Sequence, residues 1–244
     1  MNEAQLDRRE FLAKASAALA GLAIAPGMLL YDFAHGRPQG EAVSSKVRWG
    51  MLIDTNQCET GCNDCVTGCN TENGLSGGTK PTDVQWIRKV ELKDLRSGRV
   101  TSLPMLCQHC EDPPCVDVCP TGASFKRADG IVLVDQHICI GCRYCVLACP
   151  YQARSFVHEP VRDQVNEVPR GKGTVESCTL CVHRDEKDKT TACGDACSKA
   201  GHNAILFGNL NDPESEISKR IRAVATTQIR ADLGLNPGVQ YQGL

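Results

Sequence analysis

The sequence predicts an α+β fold of two small sulfur-rich domains, one nested within the other, followed by a C-terminal helix and tail. Three observations predict it. The 244 residues hold sixteen cysteines but only 5% aromatics, so the usual large apolar anchors are scarce and sulfur is abundant. The cysteines fall into four runs of four with none left over. Short apolar strands and turn residues recur at fixed offsets around those runs, which marks an internal repeat. On a prior of roughly 100 to 200 residues per domain, the chain has room for one domain or two small ones. With 27 basic and 29 acidic residues and a net charge of −2, there is no basic field to attract nucleic acid. No apolar stretch reaches the roughly 20 residues that a membrane-crossing helix needs.

Residues 1–35 are expected to be an address. Asp7-Arg-Arg-Glu-Phe-Leu12 is followed over 15–30 by small or apolar residues that include Gly21, Pro26 and Gly27. Charge followed by modest hydrophobicity resembles a twin-arginine export signal, which places the protein on the periplasmic side of the cytoplasmic membrane. Asp7 departs from that pattern, where Ser or Thr is commoner. Ala23-Ile-Ala25 is a small-x-small triplet, but Pro26 after it is a poor cleavage partner, so retention as an anchor stays open. The plainer alternative is an amphipathic helix with a chance Arg pair.

The runs come next. Cys58, Cys62, Cys65 and Cys69 form C-x3-C-x2-C-x3-C, and Cys107, Cys110, Cys115 and Cys119 form C-x2-C-x4-C-x3-C-P. Cys139, Cys142, Cys145 and Cys149 form C-x2-C-x2-C-x3-C-P, and Cys178, Cys181, Cys193 and Cys197 form C-x2-C-x11-C-x3-C. The third is the bacterial ferredoxin spacing, in which three close thiolates grip one 4Fe-4S cluster and the fourth ligates another. The last cysteine of the run is expected on the first turn of a helix, which Pro150, lacking an N–H, suits, as Pro120 does in the second run. Disulfides, the ordinary expectation for an exported cysteine-rich chain, scatter their partners rather than setting them two apart. Zinc fits the fourth run alone. His109 and His183 lie in or beside C-x2-C turns, but every cluster already has four thiolates, so both are expected to support the site rather than ligate.

The repeats show which runs belong together. Residues 131–135 lead through three residues to Cys139, and 50–54 lead through three to Cys58. Pro120-Thr-Gly-Ala123 matches Pro150-Tyr-Gln-Ala153, with a looser echo at 203–207 after Cys197. A ferredoxin-like domain is this unit twice, its halves exchanging fourth ligands, so four runs mean two such domains and four 4Fe-4S clusters. The expected sets are Cys58, Cys62, Cys65 and Cys197 (cluster 1); Cys178, Cys181, Cys193 and Cys69 (cluster 2); Cys107, Cys110, Cys115 and Cys149 (cluster 3); Cys139, Cys142, Cys145 and Cys119 (cluster 4). The expected outer domain is 47–100 plus 171–210, and the inner one 101–160. A helix and tail would occupy 211–244.

Between the runs, 74–82 reads as a loop, 84–92 as a strand, Ser97-Gly98 as a turn and 100–103 as the returning strand. Residues 159–173, with Pro160, Pro169, Gly171 and Gly173, read as a linker from the inner domain to the outer one. Asp212-Pro213 reads as the start of a helix running towards Ala231, with 234–244 as the tail. No phosphate loop, G-x-G-x-x-G or G-x-S-x-G elbow is present. The charges around Asp185, Glu186, Lys187 and Asp188 read as a solvated loop. No catalytic residue is expected. A cluster held by four thiolates has no open iron, so the expected role is electron relay.

The chain resembles the four-cluster ferredoxin subunits of the molybdopterin oxidoreductases and their relatives, including polysulfide, tetrathionate and dimethyl sulfoxide reductases. The resemblance covers nearly everything from Trp49 onward. It rests on Cys107-Gln-His-Cys-Glu-Asp-Pro-Pro-Cys115, Cys139-Ile-Gly-Cys-Arg-Tyr-Cys145, Cys178-Thr-Leu-Cys-Val-His-Arg184, Gly208-Asn-Leu-Asn-Asp-Pro213 and Leu235-Asn-Pro237. It implies the nested fold, the exchanged ligands and a non-catalytic role. Most of the family begins its first run C-x2-C, whereas Cys58-Glu-Thr-Gly-Cys62 has one residue more. With the export signal, this most resembles DsrO-type subunits, the periplasmic iron-sulfur subunits of the Dsr membrane complex associated with sulfite reduction. Such a complex implies an NrfD-type polytopic membrane protein and a multihaem cytochrome c as partners, with no nucleic acid and no small-molecule substrate. Two rivals are an electron-transfer partner of a molybdopterin oxyanion reductase and an exported disulfide- or zinc-stabilised module.

Overall fold

The computed structural model describes residues 43–78, 80, 82–162, 164–165, 170–184 and 190–244. The export-like segment and the charged loop at 185–189 lie outside them.

Strand β1 (Trp49–Asp54) is the first repeat strand, and its four central residues are buried. It is buried on both faces because it is central: β8 (Ile205–Asn209) pairs with it antiparallel, and β10 (Val239–Gln242) pairs with it parallel. Strand β9 (Thr226–Thr227) closes the order β8-β1-β10-β9. The echo after Cys197 is therefore a sheet partner of the strand before Cys58, which brings the first and fourth runs to one end of a common sheet. Three two-stranded ladders complete the fold. Strand β2 (Ile87–Lys93) pairs with β3 (Val100–Leu106), β4 (Ser124–Lys126) with β5 (Val132–Val134), and β6 (Ser155–Phe156) with β7 (Val175–Glu176).

Four short helices carry cysteines: α1 (Asp64–Asn73), α2 (Pro114–Asp117), α3 (Tyr144–Ala148) and α4 (Ala192–Lys199). A fifth, α5 (Glu216–Ala223), carries none. Helix α1 ends on Gly74 in the left-handed conformation, and α4 begins under Thr191, whose hydroxyl accepts from the Gly194 N–H. The two cross at Gly68, where an added Cβ would stand 2.5 Å from the Ala196 Cβ. That approach, which only a glycine permits, lets each helix hand its last cysteine to the other side.

Four expectations need correction. Cys119 and Cys149 do not open helices: they follow α2 and α3, which end at Asp117 and Ala148. The C-terminal helix is capped by Ser215, whose oxygen accepts from the Ser218 N–H, and not by Asp212, which closes a turn onto the Glu214 N–H. It stops at Ala223 instead of running towards Ala231, because β-branched Val224, Thr226 and Thr227 lead the chain into β9. Residues 234–244 are not a tail: Val239 and Tyr241 of β10 are fully buried, and β10 lies inside the sheet. The expected boundary near 100 also falls within the β2–β3 hairpin, and β6–β7 joins the other crossing.

The main core is built as much from cysteine as from hydrocarbon. Met51, Ile53, Trp86, Ile87, Leu103, Leu106, Ile131, Leu180, Val239 and Tyr241 pack around Cys65, Cys69, Cys107, Cys110, Cys178, Cys193 and Cys197.

Candidate iron-sulfur centres

Four cavities are each lined by four cysteines. One holds Cys58, Cys62, Cys65 and Cys197; a second Cys69, Cys178, Cys181 and Cys193. A third holds Cys107, Cys110, Cys115 and Cys149; a fourth Cys119, Cys139, Cys142 and Cys145. In each quartet, three cysteines come from one run and one from another. All sixteen are free thiols, so the geometry does not join neighbours as cystines.

The turns that make this possible bend through left-handed backbone. Gly61, His109, Gly141, Arg143, Leu180 and Cys181 have positive φ within the four runs. Such turns aim successive N–H groups inward, making a concave seat for an anionic group. Gly141 is obligatory for a second reason: a Cβ there would lie 2.0 Å from the Gly173 carbonyl oxygen. The extra residue of the first run sits in the stretch Glu59, Thr60 and Gly61, which faces outward and leaves Cys58 and Cys62 on one cavity.

Backbone N–H groups reach the sulfurs. Ser124 N donates to Cys119 Sγ at 3.3 Å, Ala153 N to Cys149 Sγ at 3.5 Å and Ala204 N to Cys197 Sγ at 3.3 Å. Leu180 N and Ala192 N donate to Cys178 and Cys181, both at 3.4 Å. Ala153 and Ala204, small residues echoed between the repeats, thus present their N–H to a crossing cysteine, whereas after Cys119 the donor is Ser124, one residue past the matched Ala123. Burial, with smaller contributions from neighbouring cysteines, pushes the Cys65, Cys107 and Cys110 thiols up to about 12. At Cys119 burial is outweighed by the Ser124 N–H and the Thr121 hydroxyl, and the thiol is lowered. Buried quartets that resist ionisation alone, with donors aimed at their sulfurs, fit a cationic iron-sulfur core that holds them as thiolates.

The quartets adjoin in pairs. Cys65 has Cys193 as an electrostatic neighbour, and Cys115 has Cys145. Tyr241 is close to Cys58 and Tyr151, and Tyr151 to Cys110 and Cys149, so two tyrosines stand between the first and third quartets. The Tyr241 hydroxyl donates to the Pro104 carbonyl at 3.1 Å and meets Gln108 Nε2 at 3.2 Å.

Both histidines are occupied elsewhere. His109, 1% exposed, accepts the Val132 N–H on Nδ1 at 3.0 Å. His183 Nε2 lies 2.8 Å from Glu72, which also takes two bonds from Arg184; Arg184 continues to Asp195. This network clamps α1, the fourth-run turn and α4, and the Arg184 bonds hold the Glu72 carboxyl down at about 2. Sequence reasoning missed a second clamp: Glu176, 1% exposed, takes three bonds from Arg170 and one from Trp86 Nε1, and Arg170 also reaches the Gly74 carbonyl. It also missed His202, which with Cys62 and Asp64 brings ligand-type atoms within 4.8 Å of one another beside the first quartet.

Four cysteine quartets in a small mixed fold define a class, a ferredoxin-type protein that moves electrons and does no bond chemistry. Two 4Fe-4S dicluster domain models match, over residues 99–206 and 57–123. The chain is 42% identical to the Hdr-like menaquinol oxidoreductase iron-sulfur subunit 1 of Archaeoglobus fulgidus, over 98% of each chain. It is 36% identical to a tetrathionate reductase subunit of Salmonella typhimurium over 97% of this chain and 88% of that one. It is 37% identical to protein NrfC of Escherichia coli over 78% of each. The chain belongs to this family of iron-sulfur subunits of oxidoreductase complexes, and carries four 4Fe-4S clusters as a non-catalytic electron-transfer subunit. Among the described residues, no helix is long and apolar enough to cross a membrane.

Proposed function

We propose that each cavity's four cysteines are the ligands of one cluster, with 47–100 plus 171–210 forming the outer pair around an inner pair in 101–160. The chain then relays single electrons between a quinone-reactive membrane protein of NrfD type and a multihaem cytochrome c, within a Dsr-type complex of dissimilatory sulfur metabolism. The twin-arginine segment would put it on the periplasmic side. The observation that carries the reading is the set of four cavities, each walled by four sulfurs and sharing none. The menaquinol oxidoreductase relative, matching almost end to end, supports the quinone-linked partner.

When bound, such clusters supply one-electron exchange and nothing else, since four thiolates close every iron. The protein's residues bury the sulfurs, bond them through N–H groups and keep water out. Cys142 is the one exposed cysteine of the sixteen, and Ile140, Tyr144 and Leu147 stand exposed around it at 68%, 58% and 82%. Exposed apolar side chains grouped at the edge of a redox site mark the face that meets an electron-exchanging protein.

The test is iron and acid-labile sulfide per chain, with EPR of the dithionite-reduced protein. About sixteen of each and mutually broadened cubane signals are expected; a colourless, dithionite-indifferent protein would remove the relay. The tetrathionate reductase relative favours a second reading, an electron-transfer partner of a molybdopterin enzyme. Purification of the native complex separates the two: a molybdopterin protein in it selects the second, a cytochrome c and a polytopic membrane protein without molybdenum the first.

A further inference from the structure

Arg154 is the least expected charge in the molecule. It is 5% exposed, and its three guanidinium nitrogens are buried without a hydrogen-bond partner. It lines the cavity of the third quartet. Facing its guanidinium are the sulfurs of Cys115, from the third quartet, and Cys145, from the fourth, with Cys107 a further neighbour. A permanently charged group buried without a carboxylate costs free energy unless another anion compensates it. Here the available anions are thiolates.

The repeat shows that this is a choice at one position. Arg154 directly follows Cys149-Pro-Tyr-Gln-Ala153, and the matched stretch Cys119-Pro-Thr-Gly-Ala123 is followed by Ser124, buried at 2% with its hydroxyl unbonded. After the fourth run, Ala204 is followed by Ile205. One half of the inner pair therefore supplies a single cation that both halves share.

We propose that Arg154 couples the two inner centres: its planar fork is placed to donate N–H bonds to the cluster-bound thiolates of Cys115 on one side and Cys145 on the other, and its fixed charge keeps both at higher reduction potentials. A cluster held by four thiolates is anionic and gains one further negative charge when it accepts an electron from a neighbouring centre, which is oxidised by one. A buried cation favours that reduced form, and N–H bonds to the sulfurs act in the same direction. The guanidinium suits the role because its donors diverge in one plane, whereas an ammonium is a point donor. Arg154 is a positioning residue, and the inference rests on the assignment of the third and fourth quartets.

The test is an EPR-monitored redox titration of the full-length, iron-loaded protein, with iron counted in every sample. Arg154→Met should keep four centres and lower two of them, the reduced-to-oxidised ratio at fixed ambient potential falling at least tenfold, or about 59 mV for one electron. The other two should stay. Arg154→Lys should shift the same centres less, and Arg96→Met, which removes an exposed charge, should shift none. Full iron with unmoved potentials, or an equal shift in all four centres, overturns the proposal. If Arg154→Met sheds iron, Arg154→Lys decides: full iron with both inner centres lowered supports the proposal, and a single lowered centre overturns it. Iron loss there too, or unmoved potentials, makes Arg154 a structural prop and overturns it. Wild-type protein without iron would instead remove the cluster assignment itself.

Discussion

The exchange of fourth ligands can be read by counting iron in paired substitutions. In the structure, Cys62 and Cys197 line one cavity, whereas Cys178 and Cys197, although from the same run, line different ones. Replacing Cys62 and Cys197 together by Ala takes two sulfurs from a single quartet, which cannot then hold a cubane; the other three quartets keep all their ligands. The expected content falls from about sixteen iron atoms to about twelve, with no three-iron EPR signal. Replacing Cys178 and Cys197 together takes one sulfur from each of two quartets. Two centres are then damaged, and either a three-iron signal appears in the oxidised protein or iron falls to about eight. The inner pair gives an independent check: Cys110 with Cys149 should behave as one quartet, and Cys142 with Cys149 as two. The assay is anaerobic iron and sulfide analysis with spin quantitation. Exchange is refuted if the two behaviours are reversed, because that outcome would mean each run keeps its own fourth cysteine.

Two further predictions concern stability. Arg170→Met leaves the Glu176 carboxylate buried beside Trp86 without its cation, and should cost about 3–5 kcal/mol in anaerobic urea unfolding; adding Glu176→Met should recover much of it, and no loss in the single variant would contradict the clamp. Truncation before Val239 removes the strand between β1 and β9 and should give iron-poor, poorly folded protein, whereas Tyr241→Phe should cost only about 1–3 kcal/mol by leaving the Pro104 carbonyl and Gln108 unsatisfied; a soluble, fully loaded truncation would make the segment dispensable.

What could be read from the sequence was whatever the repeat encodes twice. Strand, Asp and first cysteine recur before Cys58 and Cys139, and a small residue recurs after Cys119, Cys149 and Cys197, so the expected sharing of each cavity followed from the repeat together with the ferredoxin spacing of the third run. What escaped has no second copy. Strand β10 pairs parallel to β1 across almost the whole chain, and Val-Gln-Tyr-Gln is too short a stretch for its alternation to separate a buried strand from a tail. The start of α5 is ambiguous in sequence because Asp212 and Ser215 are both good caps, and the hydrogen bond from Ser218 decides between them. Arg154 and Arg170 carry no signal in the sequence, since charge in a sequence says nothing about burial. The domain limits blur for a similar reason: the β2–β3 and β6–β7 ladders straddle them, and ladder pairing is a tertiary fact.

These escapes share a cause. In a chain with 5% aromatics, ten of the sixteen cysteines are buried among the aliphatic side chains of the core. Ligand binding and folding are then one equilibrium, because the quartets are drawn from segments up to 139 residues apart, as for Cys58 and Cys197. A core so dependent on its cofactor leaves the seams to be held by polar contacts, and the buried ones lie at such seams. Arg170 and Glu176 sit where the chain re-enters the outer sheet and also hold Trp86 and the end of α1. Arg184 and Glu72 tie the fourth-run turn to the helix that carries the exchanged Cys69. Arg154 lines the third cavity and neighbours Cys115 and Cys145, one from each inner quartet. The rigidity of the relay is thus set by a few charges whose partners lie far away in sequence, and the clusters complete the core around them.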